Sequence, residues 1–227
     1  LLAEVSKRTS KRVKLDWNRL MFGPQREFIL DDSRFKAACC GRRAGKSHSI
    51  GLALTKACME NPGSKALYIN MNRSSARNII HPPIKKLNIE LDLKLRFNNQ
   101  TSEITFPNDA AILVFGGGSV REMDKMRGIV DVSMICVDEA QGFGGDMNYM
   151  LKEVLIPSAS DLQAPIMLTG TPNRQCAGPF YNVCHGLSPD GEKIDDDRMA
   201  WNIHHWTMLD NIHLPDPAYE MELAKMA

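Results

Sequence analysis

The apolar positions of this chain fall into short solid runs separated by stretches of helical period. Residues 35–40, 66–70, 132–137 and 166–169 are dominated by consecutive apolar side chains, the pattern of strands buried on both faces. Between the first two, residues 46–60 set Ile50, Leu54 and Cys58 on one helical face, and Asn61-Pro62-Gly63 stops that helix. The spacing predicts a second helix over 74–80, which His81-Pro82-Pro83 is expected to break, with a further helical stretch after it. Residues 93–98, 103–106 and 111–115 read as short strands, with Pro107-Asn108-Asp109 as the turn between the last two. Helices are predicted at 119–126 and 146–156. Strands alternating with helices imply an α/β domain on a largely parallel sheet. After about residue 175 the pattern weakens into a small acidic subdomain or a linker.

Composition narrows the picture. The 227 residues are 43% hydrophobic and 24% charged, enough for one sizeable core and too apolar for a disordered tail. Net charge is +1, so a polycation that coats nucleic acid is excluded, but a local basic face is not. Residues 1–50 carry 12 Lys and Arg against 5 Asp and Glu, whereas residues 187–227 carry 3 against 9. Lys7, Arg8, Lys11, Arg12 and Lys14 form a basic arm without apolar periodicity, read as solvated or as a polyphosphate contact. No apolar stretch approaches bilayer-spanning length, so no membrane partner is expected. The chain opens on Leu1 and its last residues resemble mid-helix, so it reads as a piece of a longer polypeptide. Cys39, Cys40 and Cys136 read as small buried apolar residues of a reducing compartment. Cys176, Cys184, His185, His204, His205 and His213 match no common zinc spacing.

Three segments carry chemistry. Gly41-Arg42-Arg43-Ala44-Gly45-Lys46-Ser47 follows a strand and opens a helix, the context a phosphate loop needs. Its backbone N–H groups would surround phosphate oxygens. Lys46 would reach the β- and γ-phosphates, and Ser47 would ligate Mg²⁺. Cys40 stands where the standard pattern has glycine, so the loop is a variant. Arg42 or Arg43 would stabilise charge on a transferring phosphoryl group, or bind ground-state phosphate, or face solvent. The second segment is an apolar strand ending in Asp138-Glu139. Asp138 would hold Mg²⁺ or its waters, and Glu139 would orient or deprotonate the attacking water. The third is a strand ending in Thr169-Gly170-Thr171-Pro172-Asn173, where Thr171 would bond the γ-phosphate or Glu139.

Taken in order, these segments resemble the N-terminal ATPase domain of large terminase subunits, the DNA-packaging motors of tailed bacteriophages. Phe22-Gly23-Pro24-Gln25-Arg26-Glu27-Phe28 is similar to the adenine-recognition segment, with Gln25 as the base-reading residue. Residues 41–47 resemble the family's variant phosphate loop, with Arg42 at the family arginine. Met126-Arg127-Gly128 and Asp138-Glu139-Ala140 resemble the run into the acidic box. Thr169, Gly170, Thr171 and Pro172 resemble the coupling motif, and residues 206–211 the segment after it. The implied fold is an α/β P-loop NTPase of the ASCE/RecA-like kind, with a mostly parallel central sheet flanked by helices and a small C-terminal lid or linker. Residues 1–175 would form the ATPase core and 176–227 a lid or linker towards a nuclease domain absent from this chain.

The resemblance also implies partners. ATP and Mg²⁺ would be cofactors. Double-stranded DNA, a portal protein, a small terminase subunit and further copies in a homo-oligomeric ring, commonly of five, would be partners, with a monomer as the isolated form. The setting would be the host cell cytoplasm, transiently at the procapsid portal. Nuclease activity is not expected, since Asp195-Asp196-Asp197 reads as a solvated acidic loop. Ring motors often lend an arginine to a neighbour's site, and Arg96, Arg121 and Arg127 are the candidates here. Arg73 and Arg77 are candidate DNA contacts. The alternative is a superfamily-2-like helicase or translocase ATPase domain, because Asp138-Glu139-Ala140-Gln141 resembles a DEAx box.

Overall fold

The structure, a computed structural model, describes residues 17–171, 175–214, 220, 221 and 224. The basic arm at residues 7–14, and Pro172 and Asn173 of the third segment, lie outside the described residues.

Helix α1 (Gly23–Leu30) starts with Pro24, whose fixed φ and missing N–H suit a first helical turn. Strand β1 (Phe35–Cys39) follows, then the phosphate-type loop and α2 (Lys46–Glu60). Strand β2 (Lys65–Asn70) leads into α3 (Arg73–Glu90), capped by the Asn72 side chain, which accepts from the Ser75 N–H. A hairpin of β3 (Arg96–Asn98) and β4 (Glu103–Thr105) precedes β5 (Ala111–Gly116) and the short α4 (Val120–Asp124). Strand β6 (Val132–Val137) is followed by α5 (Asp146–Tyr149), which continues through a π-helical Met150–Leu155 into Ile156–Ser158. Then come β7 (Ile166–Gly170), α6 (Pro179–Cys184) and β8 (Asn202–His204).

Among the described residues, the eight strands form one sheet in the order β3-β4-β5-β2-β6-β7-β1-β8. Only the β3–β4 and β4–β5 pairings are antiparallel, so the sheet is mostly parallel. Side chains alternate faces along each strand. Tyr68, Met134 and Cys136 join one apolar layer with Phe28, Ile50, Leu54, Ile80 and Ile84 of α1, α2 and α3. Leu67, Ile69, Ile135 and Val137 join the opposite layer with Met147, Met150, Leu151 and Phe180. Both faces are covered, which explains the unbroken apolar runs in the sequence.

Three expectations change. Helix α3 runs straight through Pro82 and Pro83 instead of breaking there. Ala76, Ile80, Ile84 and Leu87 are buried on one face either side of the prolines, and that burial outweighs the lost helical hydrogen bonds. The strand expected over 93–98 shortens to β3. The segment read as a lid or linker returns to the sheet: β8 pairs parallel with β1, and Trp206 beyond it is only 1% exposed.

Asp31 ties β8 in place. Its Oδ2 accepts from Asn202 Nδ2 at 2.9 Å and from His204 Nε2 at 2.7 Å. Its backbone carbonyl accepts from the buried Lys36 Nζ at 2.7 Å. Burial opposes ionisation of the Asp31 carboxyl, but the bonds from His204 and Ser33 outweigh it and bring the group down to about 2. Asp31→Ala is expected to lower unfolding free energy by about 1–3 kcal/mol at neutral pH in urea titrations. A depressed carboxyl stabilises above its ordinary value of 3.8 and loses that contribution as pH falls towards about 2. The stability difference between parent and variant should therefore shrink across that window.

Candidate active site

The carboxyl ends of β6, β7 and β1 lie side by side, because these strands are neighbours in the sheet. Each delivers one of the three chemical segments to the same crevice, the usual ligand position in an open α/β sheet. A cavity of about 890 Å³ opens there, bounded by Arg42, Gly45, Lys46, Ser47, Glu139, Gln141 and Thr171 among others.

The loop's shape follows from where its carbonyls go. Lys46 Nζ donates to Gly41 O at 2.9 Å and to Cys40 O at 3.2 Å. Arg43 O accepts from Asn211 Nδ2 at 2.8 Å, Ala44 O from Trp206 Nε1 at 2.6 Å, and Gly45 O from Gln25 Nε2 at 3.1 Å. Carbonyls held back against the protein leave the loop's N–H groups for an anion at the start of α2. The backbone is left-handed at Arg43 (φ 57°) and Gly45 (φ 81°), as such a nest requires. A side chain at position 45 would meet Gln25 Nε2 at 2.6 Å and push it off the Gly45 carbonyl, and the positive φ would add strain, so glycine suits this position. Cys40 remains in extended register, its N–H donating to Gly170 O at 3.0 Å. Burial pushes its thiol up to about 12, so it packs as a small neutral side chain.

Lys46 Nζ also donates to Thr171 Oγ1 at 3.1 Å. The Thr171 N–H donates to Gln141 Oε1 at 3.1 Å, and Gln141 Nε2 donates to Glu139 Oε2. Lys46, Thr171, Gln141 and Glu139 are thus one chain of hydrogen bonds along the cavity wall. Thr171 reaches Glu139 through Gln141 and not directly. Gly170 makes room: a Cβ there would lie 2.4 Å from Gln141 Oε1 and 2.6 Å from the Phe180 ring. Glu139 itself is left-handed (φ 52°), a conformation costing about 1–2 kcal/mol for a side chain of this kind.

Asp138 sits behind Glu139 and is 2% exposed. Its Oδ1 accepts from Thr169 Oγ1 at 2.7 Å and the Glu139 N–H at 2.9 Å; Oδ2 accepts from Tyr68 Oη at 2.7 Å. Burial raises its carboxyl above the ordinary range, and the Thr169 and Tyr68 hydroxyls oppose that rise. Three of about four lone-pair sites are occupied by protein donors. One lone-pair site is left, enough for a single Mg²⁺-bound water; Ser47 lines the cavity, whereas Asp138 lies behind Glu139 and does not border it.

Other expected residues are dispersed. Gln25 is 1% exposed beneath Gly45 and does not border the cavity; its Nε2 is committed to Gly45 O and its Oε1 has no hydrogen-bond partner. Arg42 and Arg43 are exposed at the cavity mouth. Arg96 lies on β3 at the far edge of the sheet, and Arg121 is exposed on α4. Arg127 donates to Asp124 Oδ1 and Tyr149 Oη, both at 2.8 Å. None of the three borders the cavity. Among the described residues, no three His, Cys, Asp or Glu side chains are grouped to hold a metal. Sequence reasoning assigned no role to Trp206, Asn211 or Tyr68. Residues 206–211 resemble a family segment, but that resemblance carries no side-chain contact for Trp206 or Asn211.

Comparisons with known proteins place the chain by family and fold. The family model described as phage terminase large subunit matches residues 32–225. No curated protein sequence matches the chain. Among solved structures, the large terminase of a thermophilic bacteriophage superposes with a TM-score of 0.68 at 16% identity, covering 88% of this chain and 49% of that one. The same phage protein in complex with ATP-gamma-S gives 0.63 at 17% identity, over 88% and 48% of the two chains. The ATPase domain of the Thermus phage P74-26 large terminase gives 0.60 at 15% identity, over 89% and 92%. The chain thus spans about half the length of the first of these proteins. With the family model covering most of its residues, the chain belongs to the phage terminase large subunit family.

Proposed function

We propose that this chain is an ATP-hydrolysing motor domain of a viral large terminase that drives double-stranded DNA translocation into a procapsid. The observation that carries the reading is the joining of Lys46, Thr171, Gln141 and Glu139 by hydrogen bonds along one cavity at a helix N-terminus. A triphosphate tail in the loop would draw Lys46 Nζ from Thr171 Oγ1 to phosphate oxygens. The loss of that bond would pass through Gln141 to Glu139, freeing its carboxylate to orient the attacking water. Arg42, exposed at the mouth, would meet charge on the γ-phosphate. Mg²⁺, when bound, supplies charge neutralisation at the phosphate oxygens, with Ser47 and Asp138 as the residues that would hold it. The Asp138-to-Gln141 run would serve a helicase equally, and it is family membership that favours packaging.

The wider assembly belongs to the same proposal: a ring of copies, commonly five, on the portal protein in the host cytoplasm, supplied with DNA by a small terminase subunit. In such a ring Arg96, Arg121 or Arg127 of one copy would complete the site of the next.

Calorimetry with millimolar magnesium ATP tests the reading directly, and an absence of binding heat would remove it. Lys46→Ala should abolish nucleotide binding, whereas Glu139→Gln should bind nucleotide and release phosphate at least about a hundredfold more slowly. Trp206→Phe keeps an aromatic ring but loses the bond to Ala44 O. Nucleotide affinity should fall about threefold to tenfold, as expected for about 0.5–1.5 kcal/mol. If a neighbour's arginine completes the site, turnover per subunit should rise with protein concentration in steady-state assays, because such an arginine contributes about 10³–10⁵ in rate.

A further inference from the structure

A second concavity, of about 570 Å³, lies against α3, bounded by Arg77, Asn78, His81, Pro82, Lys85 and Asn99. Arg73, Arg77, His81 and Lys85 follow at four-residue intervals, so a single row of α3 carries them, each roughly 6 Å further along the axis. The surrounding stretch, residues 73–101, holds six Lys and Arg against two Asp and Glu in a chain that is otherwise near neutral. The guanidinium groups are held in place by the β3–β4 turn: Arg73 donates to Thr101 O, and Arg77 Nη1 donates to Asn99 O at 3.0 Å. Lys85 Nζ lies 5.5 Å from the centre of the Phe97 ring. Among the described residues, no carboxylate forms a salt bridge with Arg73, Arg77 or Lys85.

His81 lines this groove and is 5% exposed, yet its Nε2 has no hydrogen-bond partner. Burial holds the imidazole below its ordinary value; a bond to the Ser102 backbone opposes that, and the nearby Lys85 and Arg77 add to it. A phosphate oxygen against Nε2 would supply the negative charge that lets the ring hold its second proton there. An orphaned nitrogen between two cations without carboxylate partners is a place for an oxyanion.

We infer that this groove, continued one helical turn beyond its lining by Arg73, grips the phosphodiester backbone of duplex DNA, with Arg77 and Lys85 as its own cations and His81 Nε2 as a buried donor. The inference rests on the translocation reading above. The row spans roughly 18 Å from residue 73 to residue 85, too long for a single phosphate and suited to a series of them. Phe97, the aromatic ring beside the groove, meets the His81 ring edge-on at 5.5 Å and has Lys85 over its face. With Lys85 over its face, this half-buried ring is not an open platform for stacking an unpaired base, which favours a duplex over a single strand. Contacts of this kind carry no sequence preference.

The test is fluorescence anisotropy of the whole chain with a labelled random-sequence duplex, read between about 50 and 200 mM salt. Arg77→Ala with Lys85→Ala should weaken duplex binding at least about tenfold and make the log–log salt dependence shallower by about 1.8. Arg77→Lys with Lys85→Arg should restore most of the affinity. Lys85→Glu, a change at an exposed position, should give the same direction of loss while leaving the Arg73 and Arg77 bonds to the β3–β4 turn in place. ATP hydrolysis without DNA should be unchanged in every variant. Variants that bind duplex as the parent does would overturn the groove and leave the motor reading intact. A single strand held more tightly than the duplex would also overturn it. A parent chain that hydrolyses ATP but holds no duplex at low salt would overturn both the groove and translocation.

Discussion

The site depends on a constraint placed on backbone carbonyls. A loop whose N–H groups gather around an anion must send its C=O groups elsewhere, and a buried carbonyl without a donor is costly. Here the donors arrive from three directions: Gln25 from α1, Trp206 and Asn211 from the segment after β8, and Lys46 from the loop's own helix. The glycines permit the curl, but these side chains select one curled shape from the many that glycine allows. The nest is therefore a property of the whole α/β domain and not of seven residues.

Behind the loop, a second group of buried polar atoms fixes the acidic end of β6. Tyr68 from β2 and Thr169 from β7, the strands on either side, both donate to Asp138. A carboxylate this deep needs such donors. They leave Glu139, the next residue, turned by its left-handed backbone towards the cavity wall where Gln141 meets it. Two adjacent acids thus face different surroundings, one buried among hydroxyls and one at the cavity, which is how similar groups come to do different work.

Much of this was legible in the sequence for local reasons. Strands buried on both faces leave solid apolar runs, and the phosphate loop and Asp138-Glu139 are contiguous patterns whose spacing carries their meaning. What escaped was set at long range. Nothing near Trp206 or Asn211 says that their side chains will meet carbonyls of residues 44 and 43. The prolines at 82 and 83 predict a break locally, but packing of Ile80, Ile84 and Leu87 carried α3 past them. The place of β8 depended on Asp31, an ordinary turn acid until His204 and Asn202 are seen on it.

The bonds from Trp206 to Ala44 and from Asn211 to Arg43 join positions 162 and 168 residues apart. Contacts of such separation form late, because a long chain segment must be closed before they yield any stabilisation. A nascent or refolding chain therefore has its loop sequence long before it has a loop of the right shape. Ligand capture becomes a marker of completed folding, and a kinetically trapped species lacking only its last strand would be blind to nucleotide while retaining most of its secondary structure.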